Sequence, residues 1–511
     1  MSAEPPVPGP RGVRDNLRAA RRLIDEPCGL LDEMSQRYGS TFALTLGPKQ
    51  IVVLGDALIV NEVLALPSSS FRWGRMTKSL EIVIGPTSMI VSDGADHARR
   101  RGLTQPGFAK RRLDGWMPVI VAETDRLIEE LIDGRRGPVD LHVASRRLIR
   151  RLVIRVLFGE ELAARSDEIG DVIEPAMAYA GGPVMSQFPH PFPVGQRAAA
   201  KRARRALDQI LDQEIARRRG VIVGRSDDRG EAARSDGSTR VDGGLLDALI
   251  SAEDGGDPLS DAEIRDQIVT LIGAGFDTTS ASLSWTLAEI AGQPDIWQRL
   301  RIEADRHLDR AVSSAPLQEL PWSQATIRES LRLHPAGPIS PRETLTAITA
   351  GPYDLAAGTV IAWSPYLMGR DPAAWSEPLR FRPERFMPIP IGSDEVLTPD
   401  PMAALAWLPF GRGPRRCIGF ALAQMELVLI VSRLAQQLDI ELVSPSLPRP
   451  CGMIVTRPEG GLPARVTARA PAAGGRSGPG HTGSSVPSGS VDSGSGTTNV
   501  SSPSNGPGGD F

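Results

Sequence analysis

Between Arg204 and Arg219 the apolar residues fall at Leu207, Ile210, Leu211 and Ile215, and charged residues fill the other faces. Three-and-four spacing aligns one apolar stripe along a helix, so the segment is predicted helical. The stretch FALAQMELVLIVSRLAQQL, from Phe420, shows a strong amphipathic helix pattern of its own. A longer helix is predicted from Ser260. Ser260-Asp261-Ala262-Glu263 is a capping box, with Ser as N-cap and Glu at the third helical position. Helical character runs on to about Ala291, where Gly292 and Pro294 stop it. At ~1.5 Å per residue this helix is roughly 45 Å long, enough to cross the whole molecule. Strand patterns are fewer. TFALTLGPKQIVVLG reads as a hairpin across Gly47-Pro48, and YDLAAGTVIAWS as a second short pair around Gly358. There is no βαβ alternation and no repeated unit. The expected fold class is mainly α with small β-sheets (α+β).

Composition adds limits. The chain has 511 residues, 41% hydrophobic and 23% charged, with a net charge of -3. No basic excess points to nucleic acid. The start, MSAEPPVPGPRGVRDNLRAARR, lacks the apolar centre of a signal peptide. No run approaches the ~18 apolar residues of a membrane span. A soluble, cytoplasmic protein is expected. The segments divide as a flexible N-terminal lead (1–14), one domain (15–469) and a disordered Gly/Ser/Pro-rich tail (470–511), because so polar a tail cannot bury enough surface to offset its ordering entropy. A second polar stretch, Gly224 to Gly244, reads as a surface loop between helices. Three distant cysteines, Cys28, Cys417 and Cys451, make neither a disulfide framework nor a CxxC zinc pattern. Cys28 and Cys451 lie in no recognisable motif and read as structural.

The centre of the long helix breaks local rules. GAGFDTT, Gly273 to Thr279, holds two glycines, each costing about 1 kcal/mol against alanine in a helix interior. Adjacent threonines are poor helix formers that bond back to the preceding turn. An acid stands beside them. Functional sites are where local rules fail together. Gly275 is expected to let something flat approach the backbone, while Asp277 and Thr278 offer a proton donor and relay.

The second unusual stretch is FGRGPRRCIG, Phe410 to Gly419, directly before a predicted helix. Cys417 therefore sits at a helix N-terminus, where the macrodipole and free N–H groups favour negative charge and a lowered thiol pKa. A lone thiolate there suits either a catalytic nucleophile or the axial ligand of a haem iron. A nucleophile wants a general base, and the loop has no histidine.

This loop resembles the haem-binding signature of the cytochrome P-450 family, F-G-x-G-x-R-x-C-x-G, at all six fixed positions. The centre of the long helix is similar to the family's [AG]-G-x-[DE]-T in Ala274, Gly275, Phe276, Asp277 and Thr278. Glu329 and Arg332 resemble its E-x-x-R pair, and Arg385 the third member of that folding cluster. The likeness spans roughly residues 15–468 and implies the cytochrome P-450 fold, with the long central helix over the haem. It implies haem b, with Cys417 as iron ligand and His97, Arg101, Ala274, Gly275, Arg342, Phe410, Arg415 and Gly419 as cofactor-binding residues. His97 and Arg101 would reach one propionate; Arg342 and Arg415 would serve the other side.

The activity implied is monooxygenation: one atom of O2 enters a C–H or C=C bond of an apolar small molecule, with Asp277 and Thr278 handling protons. Electrons would come from a separate ferredoxin- or flavodoxin-type donor with its NAD(P)H reductase. Lys110, Arg111 and Arg112, with Arg412 and Arg416, form a candidate basic docking patch. The alternatives are a peroxygenase or isomerase of the haem-thiolate type, or a haem-based sensor. The family's specificity regions correspond to about 75–90, 175–200, 336–343 and 450–456. They contain Met89, Ile90, Met177, Met185, Phe188, Ile339 and Met453.

Overall fold

A computed structural model of the chain describes residues 6–46, 49–74, 77–133, 137–180, 182, 195–227, 244–254, 257–308, 317–387 and 401–469. The tail from 470, most of the polar loop at 224–244, Met185 and Phe188 lie outside the described residues.

The long helix runs from Asp261 to Ala291 without interruption. Its capping box forms as predicted: the Ser260 side chain accepts from the Glu263 N–H, and the Glu263 carboxylate accepts from the Ser260 N–H at 3.1 Å. The glycines and threonines at its centre are tolerated because neighbouring helices surround it. Leu141–Phe158 packs along one side, with Phe420–Gln437 and Pro321–Leu333 along others. Ile264, Ile268, Leu283 and Ile290 are fully buried within the largest apolar cluster. Tertiary burial outweighs local propensity at this point. The two other predicted helices form at Gly195–Asp227 and Phe420–Gln437.

A five-stranded sheet carries the second core. Its order is Thr41–Leu46, Lys49–Leu54, Val360–Trp363, Ser340–Thr344 and Phe71–Arg72. Thr41–Leu46 and Lys49–Leu54 pair antiparallel, as the hairpin reading expects. The second expected pair does not form with itself. Tyr353–Leu355 pairs with Ile348–Ala350, whereas Val360–Trp363 lies between Lys49–Leu54 (parallel) and Ser340–Thr344 (antiparallel). All four residues of Val360–Trp363 are buried, and a strand buried on both faces belongs at a sheet centre, not in a surface hairpin.

The expected N-terminal lead also makes contacts. Ala43 N–H donates to Pro8 O at 2.8 Å and the Asn16 amide to Pro10 O at 2.9 Å. A proline-rich segment has little freedom to lose and keeps its carbonyls available as acceptors.

The helix Phe420–Gln437 carries a carboxyl among its buried residues. Glu426, on Phe420–Gln437, is 2% exposed, and its Oε1 has no hydrogen-bond partner among the described residues. Burial pushes this carboxyl up to about 8 from an ordinary 4.5. The folded chain then keeps a proton that the unfolded chain releases, so stability falls as pH rises through that interval. Glu426→Gln is expected to shrink the loss between about pH 5 and 8 by roughly 2–4 kcal/mol, read from urea unfolding at several pH values. An unchanged pH slope would show that Glu426 is not held neutral.

Candidate active site

The cysteine loop is shaped by two glycines in the left-handed region, Gly411 (φ 69°) and Gly413 (φ 71°), a conformation that side-chain-bearing residues rarely adopt. Cys417 N–H donates to Phe410 O at 2.9 Å, closing the loop. The Phe410 ring lies between Trp407 and Phe420, at centroid distances of 6.3 Å to each. Gly419 is the N-cap of Phe420–Gln437, and its N–H donates to the Cys417 sulfur.

The direction of the thiol pKa differs from the sequence expectation. Burial is the largest effect and pushes the Cys417 thiol up; the Gly419 N–H, Arg101 and Arg416 pull the other way. The side chain keeps exposed surface, so burial here means protein crowding the sulfur from most directions. One helix terminus does not offset that desolvation. A cation bonded to sulfur would, because a coordinating thiol loses its proton outright.

Four basic side chains gather near this loop. His97 is 7% exposed, and its pKa is lowered to about 4 by burial first and then by Arg415 and Arg101. Arg415 pairs with Asp93 at 3.0 Å and donates to Ser92 O at 2.6 Å and Met89 O at 3.2 Å. Arg342 is 5% exposed, and burial followed by Arg415 lowers its pKa to about 10. Both Arg342 (4.7 Å) and Arg415 (4.4 Å) lie over the Trp73 ring. The expected division into two sides is therefore bridged by Arg415, which feels both His97 and Arg342. The Arg342 Nε is buried with no hydrogen-bond partner among the described residues. Among the described residues neither Arg342 nor Arg101 has a carboxylate partner. Unpaired buried cations beside a thiol fit a metal-bearing group with carboxylate arms.

The centre of the long helix faces a cavity of about 260 Å³. Ala274, Asp277 and Thr278 line it, with Gly273 and Thr270 one turn back. Gly275 does not line this cavity; a Cβ there would lie 3.6 Å from Val153 on Leu141–Phe158. Phe276 is buried, with Arg146 4.6 Å above its ring. The Thr278 hydroxyl donates to Ala274 O at 2.7 Å. Asp277 pairs with Arg146, which also holds Glu174 at 3.1 Å.

Of the specificity candidates, Ile90, Met177 and Met453 line the cavity, and Met89 and Ile339 do not. Leu80, Val83, Ile84, Ile454 and Arg457 also line it and were not singled out from sequence. Arg457 has a sequence signal: it is the one charge in GMIVTRP. The segment bearing Val83 to Ser92 is fastened to the long helix. Arg204 bridges Val83 O (2.9 Å) and Asp266, Asp266 accepts from the Thr87 N–H at 2.9 Å, and Gln267 accepts from the Met89 N–H at 2.9 Å.

Glu329, Arg332 and Arg385 form one buried cluster. Arg332 grips Glu329 with two nitrogens at 2.7 and 2.8 Å, and Arg385 Nε reaches Glu329 at 3.2 Å. Arg332 also donates to Pro378 O, Arg380 O and Gly369 O, which fixes the segment leading to Pro383–Phe386.

A mainly helical fold, a thiol loop at a helix start and unpaired cations around it define a haem-thiolate enzyme. The chain belongs to the cytochrome P-450 family, whose sequence pattern matches residues 5–462. A protein of Mycobacterium tuberculosis described as cytochrome P-450 139 is 32% identical over 411 residues, 79% of this chain and 90% of that one. Cyclooctatin synthase of Streptomyces melanosporofaciens is 30% identical over 406 residues, 78% of this chain and 82% of that one. Among solved structures, a retinoic acid-bound cyanobacterial cytochrome P-450 superposes with a TM-score of 0.76 at 24% identity, covering 92% of this chain and all of that one. The chain is thus a cytochrome P-450 monooxygenase.

Removing one member of a buried ion cluster strands the others, at about 3–5 kcal/mol. Glu329→Ala and Arg332→Ala, whose side chains are both 0% exposed, should each lose about that much in denaturant unfolding. Arg385→Ala, with a 9% exposed side chain, should lose less. Equal losses at the three positions would contradict the burial order.

Proposed function

We propose that this enzyme inserts one atom of O2 into a C–H or C=C bond of an apolar small molecule held in the cavity beside Ala274–Thr278. The single observation that carries the reading is the pairing, in one cavity wall, of Thr278 and Asp277 with a mostly apolar lining. The Cys417 sulfur would hold haem b, with His97, Arg101, Arg342 and Arg415 holding its carboxylates, and the haem would supply the oxygen activation.

The chain's own residues govern protons and position. Thr278 keeps its hydroxyl on Ala274 O, one bond rotation from the cavity. Asp277 Oδ1 is held by Arg146 Nη1, and the other nitrogen of Arg146 holds Glu174, whose side chain is 55% exposed. When Arg146 turns fully to Glu174, Asp277 is released to collect a proton from water and pass it toward Thr278 Oγ1. The apolar lining keeps bulk water from the same place.

Electrons come from a separate ferredoxin- or flavodoxin-type protein with its NAD(P)H reductase. The Gly419 backbone lies near the Phe108 ring, so the helix start at Lys110 stands beside the cysteine loop. Lys110, Arg111, Arg412 and Arg416 are exposed there, while Arg112 is partly engaged with Gly244 O at 3.2 Å. Such a patch attracts an acidic carrier.

Thr278→Ala should leave oxygen consumption running while diverting electrons to hydrogen peroxide, with product per NAD(P)H falling about a hundredfold or more, the range of a lost proton-transfer group. Unaltered coupling removes Thr278 from the proton path. Cys417→Ser should lose the thiolate band of the reduced carbon monoxide complex. Raising salt from about 50 to 300 mM should slow reduction by an acidic ferredoxin several-fold; a salt-independent rate would argue against the basic patch.

A further inference from the structure

Among the described residues lining the cavity, Arg457 is the only Lys or Arg and Asp277 the only acid. Asp277 is already matched by Arg146. Arg457 has no carboxylate partner among the described residues. Its neighbour is the Cys451 thiol, directly across the short strand pair Pro450–Cys451 and Arg457–Pro458. Burial raises the pKa of that thiol, so it stays neutral and does not cancel the guanidinium charge. The positive field extends to His142 on Leu141–Phe158, where burial, then Arg146, and more weakly Arg457 disfavour protonation.

The arginine is also held in place. Thr456, the residue before it, is 2% exposed. Its N–H donates to Ala336 O at 2.8 Å, its hydroxyl to Pro335 O at 2.9 Å, and its carbonyl accepts from Trp285 Nε1 at 3.0 Å. Trp285 is 1% exposed, stacks on His334 at 4.5 Å, and belongs to the long helix that carries Asp277 and Thr278. The strand bearing Arg457 is therefore fastened to the helix bearing the proton relay. The backbone from which the guanidinium extends is thus fixed, and only the side chain's own rotamers remain to be ordered on binding.

We propose that Arg457 receives the carboxylate of the substrate, so that the molecule this cavity takes is an apolar body ending in a carboxylic acid. The inference rests on the reading of this cavity as the substrate site. A planar carboxylate matches the guanidinium fork with two parallel hydrogen bonds. One unmatched cation balances one negative charge; a doubly charged phosphate would leave a charge unmatched in an otherwise apolar wall. The body of the molecule lies against Val83, Ile84, Ile90, Met177 and Ile454. With its acid end fixed on Arg457, the chain can present only a limited set of carbons toward Thr278. Arg457 is thereby a specificity-determining residue that positions the reacting carbon without touching it.

The test compares dodecanoic acid with dodecanol on the full-length, haem-loaded enzyme at pH 7, by titration calorimetry and by the change in haem absorption. The wild type should bind the acid roughly ten- to a hundredfold more tightly than the alcohol, the range of one charge-assisted contact. Arg457→Gln should abolish that preference and leave alcohol binding near the wild-type value. Arg457→Lys, which keeps the charge and loses the fork, should retain part of the preference and reports on charge should the Gln variant fold poorly. Equal binding of acid and alcohol by the wild type, failure to bind the acid, or full preference in Arg457→Gln overturns the inference. Oxidation of the alcohol with normal coupling alongside any of those results would leave the monooxygenase reading standing. Loss of that reading would show separately, as a wild-type protein without the thiolate spectrum.

Discussion

Burying charge near the Cys417 sulfur is the constraint around which the molecule is arranged. Protein crowds the sulfur and favours the neutral thiol. The Gly419 N–H and the charges of Arg101 and Arg416 oppose that without outweighing it. His97, Arg342 and Arg415 stand in the same neighbourhood, each pushed toward its neutral form by burial first. A group that brings a metal to the sulfur and carboxylates to the cations relieves both strains together. Cofactor binding and stability are then one problem in this protein, because either half alone leaves unmatched buried charge.

That arrangement extends outward through a few polar links between distant segments. Arg415 reaches the carbonyls of Met89 and Ser92, and the same segment contributes Ile90 to the cavity. Arg204, Asp266 and Gln267 then tie that segment to the long helix. The cysteine loop, the cavity wall and the helix with Asp277 and Thr278 are linked by hydrogen bonds between side chains and backbone. Apolar packing supplies bulk stability, whereas these directional links set the register of one wall against another.

The strand pair at Pro450–Pro458 joins the same frame from the opposite end of the long helix, through Trp285 and Thr456. A cavity whose walls are anchored to one element keeps its polar groups in fixed relation while its apolar lining adapts to different shapes. Met177 and Met453, both unbranched, suit that adaptation.

Features set within a few residues were legible from the sequence. The capping box at Ser260, the stop after Ala291, the helix from Phe420 and the glycine turns around Cys417 depend on neighbours in the chain. The resemblance of FGRGPRRCIG to a haem-binding loop rests on the same local constraint. What the sequence did not disclose depends on which segments meet. Val360–Trp363 is a central strand because Lys49–Leu54, from near the start of the sequence, pairs along one edge of it while Ser340–Thr344 pairs along the other. Asp277 is matched by Arg146, 131 positions away. Gly275 faces Val153, and the small residues just before it, Gly273 and Ala274, line the cavity. The thiol of Cys417 titrates upward because desolvation sums over every atom packed nearby, whereas a helix terminus acts only through its own first turn. Capping and periodicity are short-range and are written into the chain; burial, charge pairing and cavity shape come into being only when distant segments displace water from between them.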